Sequence, residues 1–236
     1  MYALSGAILS QYNVPSQRLH EKVAIVTGAS GGIGRAIPLA YAAEGAHVVC
    51  ADIRDSSRLE GSVDSASATH ELIRKNGGKA VFAKADVSKA EEVEELVKEA
   101  VREFGRLDIM VDNAGIAIES HSPLPIWAVP QSTWAATLAI NPTGVFLGCK
   151  FAAAQTIRQA ALAPGADRGP DRQHGQRAGP DTWTATATTG PLFAAAATRA
   201  ELARRISRGA AVVLASEDAG WITGHALPVD GGVVAQ

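Results

Sequence analysis

From Glu21 onward, short apolar runs alternate with longer stretches in which apolar residues recur with helical spacing. Val23, Ala24, Ile25 and Val26 form a continuous apolar run that ends in glycines, the pattern of a strand buried on both faces. A helical stretch through Leu39 to Ala43 follows and closes at Gly45. His47 to Ala51 reads as a second strand ending at Asp52, and helix-compatible sequence around Ala66 to Lys75 stops at Asn76, Gly77 and Gly78. A third strand is expected at Ala80 to Ala83 and a fourth at Leu107 to Val111.

Between them lies the clearest helix. Val93, Leu96, Val97, Ala100, Val101 and Phe104 fall on one helical face, Ser88 with Glu91 reads as a capping box, and Gly105 reads as the C-terminal cap. Strand and helix alternating in this way predict a parallel sheet covered on both faces.

After Gly165 the character changes. Ala166 to Asp181 holds no valine, isoleucine, leucine, methionine or aromatic residue, so it is not a core strand. Thr182 to Thr189 is low in complexity, and residues 166–190 are expected to be irregular or disordered. Helical pattern resumes near Ala194, and a last strand is expected at Leu227 to Val229. Residues 1–20 read as an N-terminal extension and 21–236 as one domain.

The chain has 236 residues, enough for one core without a disulfide or metal staple. Its 22 basic and 24 acidic residues leave a formal charge of -2, which gives no global field for nucleic acid or an anionic membrane. Mean hydropathy is +0.05, and no apolar run is long enough to span a bilayer. Cys50 and Cys149 stand far apart in no paired motif, and the six histidines lack ligand spacing. No metal site is expected, and a reducing, cytoplasmic setting is.

Thr27-Gly28-Ala29-Ser30-Gly31-Gly32-Ile33-Gly34 lies between the first strand and its helix. Glycines there allow a tight turn and close approach to a pyrophosphate, and the helix N-terminus offers unpaired N–H groups to the anion. A turn-rich strand–helix junction is the bland alternative. Asp52 follows Gly34 by 18 residues, where a carboxylate accepts hydrogen bonds from ribose hydroxyls and repels a 2′-phosphate. Arg54 is the one nearby feature favouring the phosphorylated cofactor, so NAD is expected over NADP.

Together these motifs resemble the short-chain dehydrogenase/reductase family. Gly28, Gly32 and Gly34 match its cofactor loop, with Ser30 and Ile33 inside it. Asp86 and Val87 are similar to the pair that holds the adenine ring. Asp112, Asn113, Ala114 and Gly115 resemble its Asn-Asn-Ala-Gly element, with Asp112 in place of the first asparagine. Asn141 aligns with its active-site asparagine. Trp221 to Gly224 and Val229 to Gly232 resemble its closing strand.

The resemblance implies an α/β fold: a doubly wound parallel sheet of Rossmann type, here incomplete after the fourth or fifth strand. It implies an NAD(P)-dependent oxidoreductase acting on an alcohol or carbonyl, and a homo-oligomer weakened by missing material.

That chemistry needs a proton donor at the substrate oxygen, which the family supplies as a tyrosine with a lysine four residues on and a serine nearby. The tyrosines here are Tyr2, Tyr12 and Tyr41, and no lysine follows Lys150. The serines after Asn141 are Ser207 and Ser216. Shifted by one nucleotide, the codons of Pro170 to Arg177 can read as Arg-Ile-Val-Asn-Met-Ala-Ser-Val, the strand-and-serine segment of the family. A frameshift or altered splice is the reading this suggests, and sequencing the transcript tests it. Two alternatives to an active oxidoreductase therefore stand: a non-catalytic nicotinamide-nucleotide binder, and a truncated or frameshifted inactive product.

Smaller features carry bland and sharp readings side by side. Pro38 interrupts the first helix pattern, and Pro142 follows Asn141. Tyr41 reads as packing and Lys150 as a solvated helix residue. Trp127 and Trp134 read as a pocket wall or as core or interface packing. Thr188 to Leu192 echoes a nicotinamide-contacting loop.

Overall fold

The computed structural model describes residues 17–56, 67–118, 123–162, 183–185 and 208–219. Five strands form one parallel sheet: β1 (Val23–Thr27), β2 (His47–Asp52), β3 (Lys79–Lys84), β4 (Ile109–Val111) and β5 (Trp183–Ala185). Their order is β3-β2-β1-β4-β5. The chain first winds outward from β1 to β3, then returns to the other side of β1. That reversal places a topological switch point between β1 and β4 at the carboxyl edge of the sheet, the place where open α/β sheets bind ligands.

Helices cover both faces. They are α1 (Gly32–Ala43), α2 (Thr69–Lys75), α3 (Ala90–Phe104), α4 (Gln131–Ile140), α5 (Pro142–Leu162) and α6 (208–215). Alternate residues of β1 serve opposite faces, as a strand period of two requires. Ala24 and Val26 pack with Ile37 and Tyr41 of α1, Ile73 of α2, and Val212 and Ala215 of α6. Val23 and Ile25 pack with Leu96, Val97 and Ala100 of α3 and Ala152 of α5. This two-sided burial is why β1 reads as a continuous apolar run.

Several details differ from the sequence reading. Ser88 does not cap α3: Lys89 is the N-cap residue and makes no side-chain cap bond. The Ser88 hydroxyl instead donates to Asp86 Oδ1 at 2.7 Å, and Glu92, one residue after the expected Glu91, accepts the Asp86 N–H at 2.8 Å. The short Asp86 side chain, two residues before Ser88, outcompetes the helix end for its hydroxyl. Gly105 does cap the other end, at φ +81.

Trp183 to Ala185 lie within the stretch expected to be irregular, yet they pair with β4 as β5. The exposed edge of β4 offers a ladder of N–H and C=O groups, and a Thr/Trp-rich run meets it despite its low complexity. Leu19, in the stretch read as an extension, is fully buried, and its N–H donates to Glu44 O at 3.0 Å.

Pro38 sits buried inside a continuous α1, without an N–H to return to Gly34. Pro142 is the first residue of α5, where a missing N–H has no helical partner to lose, so Asn141 becomes the joint between α4 and α5. Residues 166–182, Thr188 to Leu192 and Leu227 to Val229 lie outside the described residues.

Candidate nucleotide site

Every loop that leaves the carboxyl edge of β1 to β4 meets at the switch point. A cleft of about 300 Å³ opens there, lined by Gly28, Ser30 and Gly32 after β1, Asp52 at the end of β2, Asp86 and Val87 after β3, and Ala114 and Gly115 after β4. Gly31, Ile53, Arg54, Ser56, Ile116 and Ile140 complete the wall. Ile33, Gly34 and Asn113 stand outside that lining, and Ile33 packs against the core.

The floor of the cleft is set by a clamp between β1 and β4. Thr27 Oγ1 accepts the N–H groups of Asn113 and Ala114, each at 3.0 Å, and its hydroxyl donates to Val111 O at 3.2 Å. Asn113 Nδ2 donates to Thr27 O at 2.9 Å and reaches Gly28 O at 3.5 Å. The Asn113 side chain therefore holds the loop rather than facing the open cleft.

The glycines answer crowding at one position and backbone conformation at others. A Cβ on Gly34 would lie 2.0 Å from Gly28 O and 2.4 Å from Asn113 Nδ2. Gly28 and Gly32 have φ of +68 and +57, the left-handed region that glycine enters without a Cβ penalty. A Cβ on Gly32 would meet nothing within 4 Å, so this glycine faces open space.

The N-terminus of α1 carries no side-chain cap and no acidic residue in its first turn. Its amides and the positive end of its dipole are thus presented to an anion.

Two further anchors fix the loop. Ser30 N–H donates to Asp52 Oδ2 at 3.1 Å, and Ser30 Oγ to Arg54 O at 2.5 Å, tying the loop to the end of β2. On its other side, Thr69 Oγ1 donates to Ala29 O at 2.7 Å and accepts from the buried Arg35 Nη1 at 3.1 Å. Nothing in the sequence marks Thr69 as a loop anchor, because Arg35 and Thr69 meet only through the fold.

After β3, Asp86 Oδ1 accepts the hydroxyl and the backbone N–H of Ser88, which hold its carboxyl below the usual carboxylate range. Beyond β4, Asn141 clasps one residue twice. Its Oδ1 accepts Ile116 N–H at 2.9 Å and its Nδ2 donates to Ile116 O at 3.0 Å.

A family model described as short chain dehydrogenase matches residues 22–161, more than half of the chain. The chain belongs to the short-chain dehydrogenase/reductase family. A structure of a family member from Burkholderia xenovorans superposes with a TM-score of 0.68 at 30% identity, covering 93% of this chain and 98% of that one. Tropinone reductase-like 2 of Erythroxylum coca is 40% identical over 145 residues, 61% of this chain and 49% of that protein. Diacetyl reductase [(S)-acetoin forming] of Staphylococcus epidermidis is 39% identical over 138 residues, 58% of this chain and 49% of that protein. The chain spans about half the length of these curated relatives.

The glycine loop, Asp52, Asp86 and Val87 line the cleft, and no tyrosine with a lysine four residues on is found among the described residues. Tyr41, the one tyrosine among them, is fully buried, donates to Ala211 O at 3.1 Å and has its phenol pushed up by burial. Lys150 is exposed, with Nζ 5.2 Å from the Phe151 ring centroid. Trp127 and Trp134 are 86% and 57% exposed, so they form neither core nor cleft wall. Among the described residues no helix is long and apolar enough to cross a membrane.

Proposed function

We propose that this chain binds a nicotinamide nucleotide in the cleft between β1 and β4, with NAD(H) preferred over NADP(H). The observation that carries the reading is the meeting of an uncapped α1 N-terminus with Asp52 across one crevice. The glycine loop and the first-turn amides of α1 would hold the pyrophosphate. Asp52 would accept from the adenosine ribose and repel a 2′-phosphate. Asp86 and Val87 would flank the adenine, and Gly115 and Asn141 lie toward the nicotinamide end. When bound, the nucleotide supplies a hydride donor or acceptor.

A second reading, hydride transfer to or from a small alcohol or ketone, is favoured by family membership and by the reductases among the relatives. It requires a proton donor that the described residues do not provide, so binding without turnover is the first reading. Two cysteines far apart in the chain suit a reducing, cytoplasmic setting, and self-association belongs to the same reading.

Thermal melts of the purified chain with NADH and with NADPH test the proposal. Ligand at about 100 times its dissociation constant adds about 2.7 kcal/mol to the folded state. NADH is expected to raise the melting temperature more than NADPH, and Asp52→Ala to reduce that difference. A melt insensitive to both nucleotides refutes the reading. Oxidation of NADH above a heat-killed control, across a ketone panel, replaces the first reading with the second.

A further inference from the structure

Two aspartates bracket β4, and both are buried. Asp108, before the strand, accepts the Val23 N–H at 2.8 Å and is paired with the Arg106 guanidinium at 2.5 and 2.9 Å. Its charge is matched. Asp112, after the strand, has one hydrogen-bond partner among the described residues, the Cys149 thiol, with Sγ 3.8 Å from Oδ2. A thiol is a weak donor.

Asp112 is also tightly enclosed. It is 4% exposed, and a Cβ on Gly148 would lie 1.9 Å from its Oδ1. The carboxyl thus occupies space that α5 leaves by having glycine there. Farther along, α5 is tied to the same β-strand region by a group that does not titrate. Gln159 Oε1 accepts the Leu107 N–H at 2.7 Å and Gln159 Nε2 donates to Leu107 O at 2.9 Å. The helix is therefore pinned at two points, one fixed and one ionisable.

We propose that Asp112 is a pH-sensitive latch between β4 and the Gly148–Cys149 turn of α5, docking the helix when neutral and loosening it when charged. A carboxylic acid sits in an enclosed site with little cost, whereas a carboxylate there lacks the compensation that Asp108 receives. The groups that face Asp112 agree with this. Among the described residues, the titratable neighbour on α5 is Cys149; on β1 the neighbouring Thr27 hydroxyl is uncharged and already bonded to Val111; and β5 meets β4 through Ala185 opposite Val111. Burial pushes the Asp112 acid up to about 7, and the thiol bond opposes that rise.

An unfolded aspartate titrates near about 3.9. The folded value lies above it, so the folded chain binds more protons between the two. The latch contributes fully below about pH 4, and its contribution is lost as pH rises through about 7.

The test compares thermal melts of the full chain and Asp112→Asn from pH 5 to 8.5, without nucleotide. Asparagine has nearly the same shape and does not ionise. The gap between the two melting temperatures is expected to widen from pH 5 to about 7 and stay constant above it. Amide exchange of α5, corrected for intrinsic rates, is expected to speed up across the same range in the parent and not in the variant. Parallel melting curves overturn the proposal. Should Asp112→Asn fail to fold, Cys149→Ala serves. Loss of the thiol donor moves the break in the pH profile upward, and an unmoved break overturns the latch. These readouts need no ligand, so their failure is separate from failure of the nucleotide reading.

Discussion

Thr27 and Asn113 hold each other through both backbone and side chain. The Thr27 hydroxyl oxygen accepts the Asn113 N–H at 3.0 Å, and Asn113 Nδ2 donates to the Thr27 carbonyl at 2.9 Å. The exchange joins the ends of β1 and β4 at the switch point and fixes where the glycine loop begins. Thr27→Val keeps the shape and removes the acceptor shared by two N–H groups. Each buried group left unpaired costs about 1–3 kcal/mol, so a loss of about 2–6 kcal/mol is expected. Urea unfolding measures it. Thr27→Ser keeps the oxygen and is expected to retain most of the stability.

The two loop glycines respond differently to the same change. Gly34→Ala places a methyl 2.0 Å from Gly28 O, a backbone atom that cannot turn aside. The loop must shift, so nucleotide binding is expected to vanish along with some stability. Gly32→Ala meets nothing within 4 Å but keeps a φ of +57, which costs a non-glycine residue about 1–2 kcal/mol. It is expected to fold and to bind nucleotide more weakly. Calorimetric titration with NADH, alongside a melt of each variant, separates the two cases.

These contrasts show which parts of the architecture were legible along the chain. β1, α1 and β2 were, because a strand buried on both faces is apolar throughout and a loop close to a helix N-terminus must be rich in glycine. Of the cleft residues, Asp52 was legible from its place at the end of β2, and Asp86 through the resemblance of Asp86-Val87 to a family motif. The role of Asn113 was not, since its side chain turns toward Thr27, 86 residues away in the chain. Ser88 misled because two local partners compete for one hydroxyl, and geometry decides in favour of Asp86. β5 was hidden because the edge of β4, rather than its own composition, recruits it. Asp112 stood out only as an exchanged residue. Its burial depends on Gly148, which the fold brings opposite it.

Asp86 gives a prediction on the acid side. The Ser88 hydroxyl and N–H both bond its carboxylate and lower its pKa. A folded value below the unfolded one adds stability above the unfolded pKa of about 3.9, and that stability is lost as pH falls through the folded value. Ser88→Ala removes the larger cause. The Asp86 carboxyl resonance, followed by NMR, is expected to titrate at higher pH in the variant than in the parent. Coincident titrations would show that the serine hydroxyl does not set the value.

Asn141 supplies the last prediction. Its amide oxygen accepts the Ile116 N–H and one of its two N–H groups donates to the Ile116 carbonyl. Ile116 in turn lines the cleft, so Asn141 shapes the wall through a residue 25 positions away. Asn141→Ala removes two hydrogen bonds with a net worth of about 0.5–1.5 kcal/mol each. Exchange of the Ile116 amide is expected to accelerate more than that of the core amides of β1, because the loss opens one loop before it opens the sheet. Asn141→Asp keeps the acceptor for the Ile116 N–H but sets a carboxylate oxygen against the Ile116 carbonyl. It is expected to protect the Ile116 amide while weakening NADH binding as much as the alanine change does. Equal protection of that amide in parent and alanine variant would mean that the loop stands without the clasp.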